Sequence, residues 1–217
     1  MLKAVLFDMD GVLVDSELYW PQYEEKLFSD LGINFTDEFK KEILGLNLVD
    51  IGKIIRSKYS YALSQEELEN AYEKISIDVY KSSNLLSGVK SFLDELQTHG
   101  TTLAIVSSSP MHWINLCLSL KDISTYFPMN FSARDYNMPG KPKPDIYLEA
   151  MKQLGVSPEE TIIFEDSQNG YRSAIASGAK VVVVTDPRWC SGDYSRANFQ
   201  VENFEELDLK LIETLFK

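Results

Sequence analysis

Two carboxylates with one residue between them, Asp8 and Asp10, stand where the apolar run Ala4-Val5-Leu6-Phe7 stops and Gly11 opens a turn. Acids held so close to the end of a buried strand repel each other unless a cation accompanies them. Other apolar runs stop in the same manner, Thr101 to Val106 before Ser107-Ser108-Ser109 and Thr161 to Phe164 before Glu165-Asp166. Lys141 lies in the polar loop that follows a short run at Met129 to Phe131. Singly, each has an ordinary explanation: an acid at a strand end starts a loop, a serine before a helix caps it, and a loop lysine is solvated. Those explanations predict scatter, yet these residues all fall on the carboxyl side of one expected sheet. The chemistry that fits is phosphoryl transfer. Asp8, Asp10 and Asp166 supply hard oxygen ligands suited to Mg2+, which would relieve the repulsion and shield an anionic nucleophile from an anionic substrate. A carboxylate can attack phosphorus, and a second acid two residues on can protonate the leaving alkoxide and then activate water. A serine hydroxyl, backbone N–H groups and a lysine would hold the transferring oxygens. Asp8-Met9-Asp10-Gly11 is not a calcium loop, because its glycine comes too early and no glutamate closes it at the required spacing.

The elements that must position these groups alternate. Ala4 to Phe7 is apolar throughout, as a parallel strand covered on both faces is. Apolar residues near helical spacing from Glu17 to Leu31 predict a helix capped by Ser16 and ended by Gly32. A short helix is expected after Thr36, a loop at Gly45-Leu46-Asn47-Leu48, a helix over Ile51 to Tyr59, and a longer one opened by the capping box Ser64-Gln65-Glu66-Glu67. From Ser87-Gly88 onward helices alternate with strands, with further strands at Thr101 to Val106, Met129 to Phe131, Thr161 to Phe164 and Val181 to Val184, and a closing helix from Glu205 to Phe216. Such alternation implies a doubly wound parallel α/β sheet, a Rossmann-like core with helices on both faces. An all-helical stretch of roughly 65–70 residues interrupts the first unit, far beyond loop length. The expected organisation is a discontinuous catalytic core, residues 1–15 and 86–217, with a helical cap at residues 16–85 standing over the strand ends.

The totals narrow the partners. The chain has 217 residues, 44% hydrophobic and 25% charged, room for one large domain or one domain with an insert. A formal charge of −12 argues against nucleic acid or an anionic membrane as partner. A small phosphorylated substrate stays compatible, because a bound divalent cation and one lysine invert the sign locally. Cys117 and Cys190 form no spacing motif and read as free thiols of a reducing compartment. With no signal-like or membrane-spanning stretch, a cytoplasmic monomer is expected.

Asp8-Met9-Asp10-Gly11-Val12-Leu13-Val14-Asp15-Ser16, the strand-end Ser107, Lys141-Pro142-Lys143-Pro144-Asp145 and Glu165-Asp166-Ser167 resemble the four motifs of the haloacid dehalogenase superfamily. They are most similar to its helical-capped phosphatases, the subgroup that includes β-phosphoglucomutase. The resemblance implies that Asp8 is the nucleophile and Asp10 the general acid/base. It implies that Ser107 and Lys141 bind the phosphoryl group, with backbone N–H groups near Met9 and Ser108, and that Lys141 steadies the nucleophile. Asp166, with Glu165, would anchor Mg2+ alongside Asp8 and the backbone carbonyl of Asp10. Dehalogenases of the superfamily attack carbon without a metal and lack the second acid, so Asp10 and Glu165-Asp166 argue against that reaction. β-Phosphoglucomutases carry a histidine after the tyrosine of the first cap helix, where Tyr19 is here followed by Trp20. They also place an arginine in the cap loop, where Gly45-Leu46-Asn47-Leu48-Val49-Asp50 has none. The expectation is therefore a Mg2+-dependent phosphatase of a small phosphomonoester such as a sugar phosphate, working through an aspartyl-phosphate, with a phosphosugar mutase as the alternative. A signalling receiver also phosphorylates a strand-end aspartate, but receivers are shorter and lack a helical insert. Tyr19, Trp20, Tyr23, Gly45 and Asn47 are candidate substrate contacts in the cap, although the three aromatics equally suit its own core. Trp113 and Trp189 read as packing residues.

Overall fold

A computed structural model of the chain describes residues 1–43, 46, 48–58 and 63–216. Contacts divide it into an α/β unit, Met1–Asp15 with Asn84–Lys217, and a helical unit, Ser16–Ser83. The chain returns to the α/β unit at Asn84, ahead of the expected residue 86. There the Asn84 N–H donates to the Asp15 carboxylate at 2.6 Å, Asp15 N–H donates to Asn84 O at 3.0 Å, and Leu85 bridges Val14.

In the helical unit a 3-10 turn at Ser16–Leu18 precedes α1 (Trp20–Asp30), followed by α2 (Asp37–Ile43), α3 (Leu48–Lys58) and α4 (Gln65–Ser82). The helix expected from Glu17 starts three residues later, with Tyr19 rather than Ser16 at its N-cap. The reason is Pro21, which has no N–H to give and a ring that clashes with the preceding turn, so an α-helix admits it only at its start. The capping box at Ser64 forms as expected, with Glu67 N–H on Ser64 Oγ at 3.1 Å and Ser64 N–H on the Glu67 carboxylate at 2.8 Å. Phe28 holds the unit together, its ring 5.0 Å from Phe35, 5.1 Å from Phe39 and 6.3 Å from Tyr72.

β1 (Ala4–Phe7), β2 (Thr102–Ser107), β3 (Met129–Ser132), β4 (Thr161–Glu165), β5 (Lys180–Val184) and β6 (Phe199–Val201) form one parallel sheet in the order β3-β2-β1-β4-β5-β6. The connecting helices are α5 (Val89–His99), α6 (Met111–Leu120), α7 (Asp145–Leu154) and α8 (Gln168–Ser177), with a short α9 (Leu209–Glu213) near the end. Every residue of β1 is buried, because both faces of the sheet are covered. On one face Phe7 stacks on Phe164 at 5.0 Å, and Phe164 on Phe204 at 5.3 Å. On the other, Leu6, Ala104 and Ile163 meet Ile146, Tyr147, Ala150 and Met151 of α7. Phe7 is level with Ile105 and with Phe164, so the three central strands end within a rung or two of each other. The chain builds outward from β1 through β2 to β3, then crosses back to β4 on the far side. That reversal is the switch point at which open parallel sheets gather their chemistry. β6 escapes the sequence pattern because it is a three-residue edge strand. The single closing helix expected over Glu205 to Phe216 is instead a 3-10 turn at Phe204–Glu206, α9, and a second 3-10 turn. Asn203 and Asp208 each cap a separate start, which divides the segment. No described helix is long and apolar enough to cross a membrane.

Candidate active site

Asp8 follows the last residue of β1, and its N–H continues the ladder onto Phe164 O at 3.0 Å, which fixes the backbone from which its side chain springs. The chain then turns at once: Val12, Leu13 and Val14 all donate to Met9 O, and Gly11 takes a φ of +72°. A Cβ on Gly11 would run into the Asp166 carboxylate, so both the conformation and the space demand glycine. Ser107 ends β2 and is buried, its Oγ accepting from Ser109 N–H at 3.1 Å. Ser109 in turn donates from Oγ to Asp10 Oδ2 at 3.2 Å. Ser108 is exposed. Glu165 ends β4 and Asp166 follows it, ahead of Ser167, the N-cap of α8, which accepts from Gly170 N–H at 3.0 Å.

Lys141 comes from the loop between β3 and α7, and its side chain is only 5% exposed. Its Nζ lies 2.5 Å from Asp8 Oδ1 and 2.7 Å from Glu165 Oε1, and donates to Val106 O at 3.0 Å. Burial works against its charge, but Asp8 and Glu165 outweigh it and hold its pKa above that of an ordinary lysine. The ammonium is thus a permanent cation between two strand-end carboxylates. Burial pushes the Glu165 carboxyl up; Lys141 opposes that rise while Asp8 adds to it. Tyr147, fully buried on α7, donates from its hydroxyl to Glu165 Oε1 at 2.5 Å and places its ring 5.0 Å from Lys141 Nζ. Its phenol is held well above its usual pKa by burial and by the neighbouring Glu165 and Asp8 carboxylates, so it is a donor at any working pH.

Asp8, Glu165 and Asp166 each bring a carboxylate oxygen into a group whose members lie within 4.8 Å of one another. Hard oxygen donors at that separation fit a hard divalent cation such as Mg2+. Glu165 Oε1 already serves Lys141 and Tyr147. Its Oε2 is buried with no hydrogen-bond partner among the described residues, and a Cβ on Gly170 would collide with the carboxylate. Asp8, Glu165 and Asp166 are the carboxylates that could hold the ion. Asp10 lies outside the carboxylate group; the ligand expected of it is its backbone carbonyl.

The expected core residues Asp8, Lys141, Glu165 and Asp166 come together, with Ser107 and Asp10 linked through Ser109. In the helical unit Trp20 packs inward, its ring 6.1 Å from Tyr72 and edge-on to Tyr80 at 5.8 Å, and the Tyr23 hydroxyl meets Ser82 Oγ at 3.0 Å. Tyr19 serves α1 as its N-cap, accepting through its carbonyl from Gln22 and Tyr23. Gly45 and Asn47 lie outside the described residues. Tyr147 and Ser109 are the participants that sequence reasoning passed over. For Tyr147 a signal existed: a tyrosine on the apolar face of a helix, beside Ile146, Ala150 and Met151, brings a hydroxyl that must find a partner inside.

Known proteins similar to this chain include phosphatases and share its fold. Hexitol phosphatase B of Escherichia coli (strain K12) is 30% identical over 202 residues, covering 88% of this chain and 90% of that protein. A phosphorylated carbohydrates phosphatase of Thermotoga maritima is 30% identical over 183 residues, 82% of each. The crystal structure of CbbY from Rhodobacter sphaeroides in complex with phosphate has the same fold, with a TM-score of 0.86 over 95% of this chain and 96% of that one at 23% identity. The family model described as haloacid dehalogenase-like hydrolase matches residues 5–184. Most of the chain is thus accounted for, from β1 through β5, and the chain belongs to the haloacid dehalogenase-like hydrolases.

Proposed function

We propose that the protein hydrolyses a small phosphomonoester, a sugar phosphate or sugar-alcohol phosphate, through a phosphoenzyme formed on Asp8. The observation that carries this is the Asp8 carboxylate, fixed at the end of β1 beside a buried, permanently charged Lys141 at 2.5 Å. An Asp8 oxygen attacks phosphorus, the P–O bond to the alcohol breaks, and the leaving alkoxide takes a proton from the Asp10 carboxyl. Water then attacks the same phosphorus and gives its proton to the Asp10 carboxylate; inorganic phosphate leaves and Asp8 is restored. Ser109 Oγ orients Asp10 for both transfers by its hydrogen bond to Oδ2. Ser107, Lys141 and the N–H groups following β1 and β2 hold the phosphoryl oxygens, and Tyr147 and Glu165 keep Lys141 in place. Mg2+, which Asp8, Asp166 and the Asp10 carbonyl would hold, would supply positive charge that offsets the negative charge of the nucleophile and the phosphoryl group. The substrate class is supported by the two relatives named for hexitol and carbohydrate phosphates. Hydrolysis is favoured over mutase chemistry because Trp20 and the 45–50 stretch lack the histidine and arginine expected of a mutase. Phosphate release measured across sugar phosphates, sugar-alcohol phosphates, nucleotides and phosphoglycolate tests the proposal. Turnover lost in Asp8→Asn and in excess chelator supports it; full turnover in Asp8→Asn refutes it.

A further inference from the structure

Trp189 belongs to the loop after β5, and its indole Nε1 is buried with no hydrogen-bond acceptor among the described residues. Leaving a buried donor unpaired forfeits its hydration with nothing in return, so native proteins leave few. The donor stands close to a named acceptor. A Cβ built on Gly11 would be 3.0 Å from Trp189 Nε1 and would collide with Asp166 Oδ2, so the indole N–H and the Asp166 carboxylate border the same small space. The rest of the loop is already fastened to Asp166. Tyr194 donates from its hydroxyl to Asp166 O at 2.7 Å, and Cys190 Sγ donates to the same carbonyl at 3.0 Å. The Arg188 guanidinium lies 4.9 Å over the indole ring. Arg188 is itself tied to Asp186 by Nε at 2.9 and 3.1 Å and by a terminal nitrogen at 2.6 Å. One segment, 186–194, therefore holds the Asp166 backbone with two donors and keeps a third beside its carboxylate.

We propose that Trp189 is a positioning residue for the cation site: with the cation bound, its indole N–H donates to Asp166 and sets the orientation in which that carboxylate ligates. This rests on the reading of Asp8 and Asp166 as Mg2+ ligands. It also replaces the packing role that the sequence suggested for this tryptophan. Outer donors of this kind fix the rotamer of a ligating group, and their removal weakens metal affinity about 10–100-fold.

The test is Mg2+ binding by calorimetry to the whole protein, wild type and Trp189→Phe, with Asp166→Asn as the reference for a lost ligand. Phe keeps an aromatic ring beneath Arg188 and deletes only the N–H and part of the ring. The expected result is Mg2+ affinity about 10–100-fold weaker in Trp189→Phe, with thermal unfolding in chelator at the wild-type midpoint. A second readout uses the tryptophan itself. In a variant with Trp20→Phe and Trp113→Phe, Mg2+ should change the emission of Trp189 with the affinity found by calorimetry. Equal Mg2+ affinity in wild type and Trp189→Phe, or emission indifferent to Mg2+, overturns the role of Trp189 while leaving the cation site standing. Absence of Mg2+ binding by the wild type overturns both.

Discussion

Replacing Lys141 with Met keeps an unbranched apolar stem in place and removes the ammonium from between Asp8 and Glu165. The wild-type group makes contacts at 2.5 Å with Asp8, 2.7 Å with Glu165 and 3.0 Å with Val106 O, in a site that leaves its side chain 5% exposed. Deleting one member of a buried ion pair costs about 3–5 kcal/mol, because the remaining charge keeps its desolvation penalty and loses its compensation. Here two carboxylates are left facing each other, so the upper end of that range applies near pH 8. The sign of the pH dependence follows. Without the ammonium, at least one carboxyl holds a proton in the folded state at a pH where it is ionised in the unfolded chain. The folded variant then binds more protons than the unfolded one, and its stability falls as pH rises. The loss relative to wild type should be about 5 kcal/mol near pH 8 and shrink toward pH 5. Denaturant unfolding of both proteins in chelator, following the transition of the α/β unit, measures this directly. A loss under about 1 kcal/mol near pH 8, or an equal loss at both pH values, would refute the view of Lys141 as the cation that keeps these two acids together.

Other consequences are open to simpler measurements. Asp10→Asn should lower kcat by about 10²–10⁴-fold in phosphate-release assays with folding unchanged, and an unaltered kcat contradicts its acid/base role. Tyr147→Phe removes a hydrogen bond to a charged acceptor and should destabilise the protein by about 1.5–3 kcal/mol in denaturant unfolding; a loss within error means that Glu165 does not depend on it. In the helical unit, burial raises the Glu24 carboxyl to about 7 against the opposing hydrogen bond from Tyr72 at 2.7 Å. The folded form therefore holds a proton that the unfolded chain releases near pH 4.5, and the unit should lose about 1–3 kcal/mol as pH rises from there to 7. Glu24→Gln should abolish that slope, and its persistence assigns the pH dependence elsewhere.

What could be read from the sequence was whatever rests on local pattern. β1 and α4 declare themselves, the one through an unbroken apolar run and the other through the capping box at Ser64. The strand-end residues declare themselves because chemistry needs acids where a buried strand should simply stop. Less legible were features set by tertiary contact or by competition between neighbouring signals. Ser16 has the chemistry of an N-cap, but Pro21 decides where α1 begins. β6 is too short to show a period, and its pairing depends on β5 lying beside it. Trp189 offered nothing to distinguish it from any buried aromatic, because its significance lies in the close approach of Asp166 and its own indole to Gly11, residues distant in sequence. Tyr147 stood between these cases, legible as a buried hydroxyl but not as the partner of Glu165.

The account turns on Asp8 receiving the phosphoryl group. Wild-type protein turning over a radiophosphorus-labelled sugar phosphate, quenched in acid within a single turnover and digested, should carry label on the peptide containing Asp8. That label should be released by hydroxylamine, as an acyl phosphate is and a serine phosphate is not. Phosphate formed with no labelled peptide at any quench time, or a hydroxylamine-resistant label on the peptide containing Ser107 and Ser109, would contradict it.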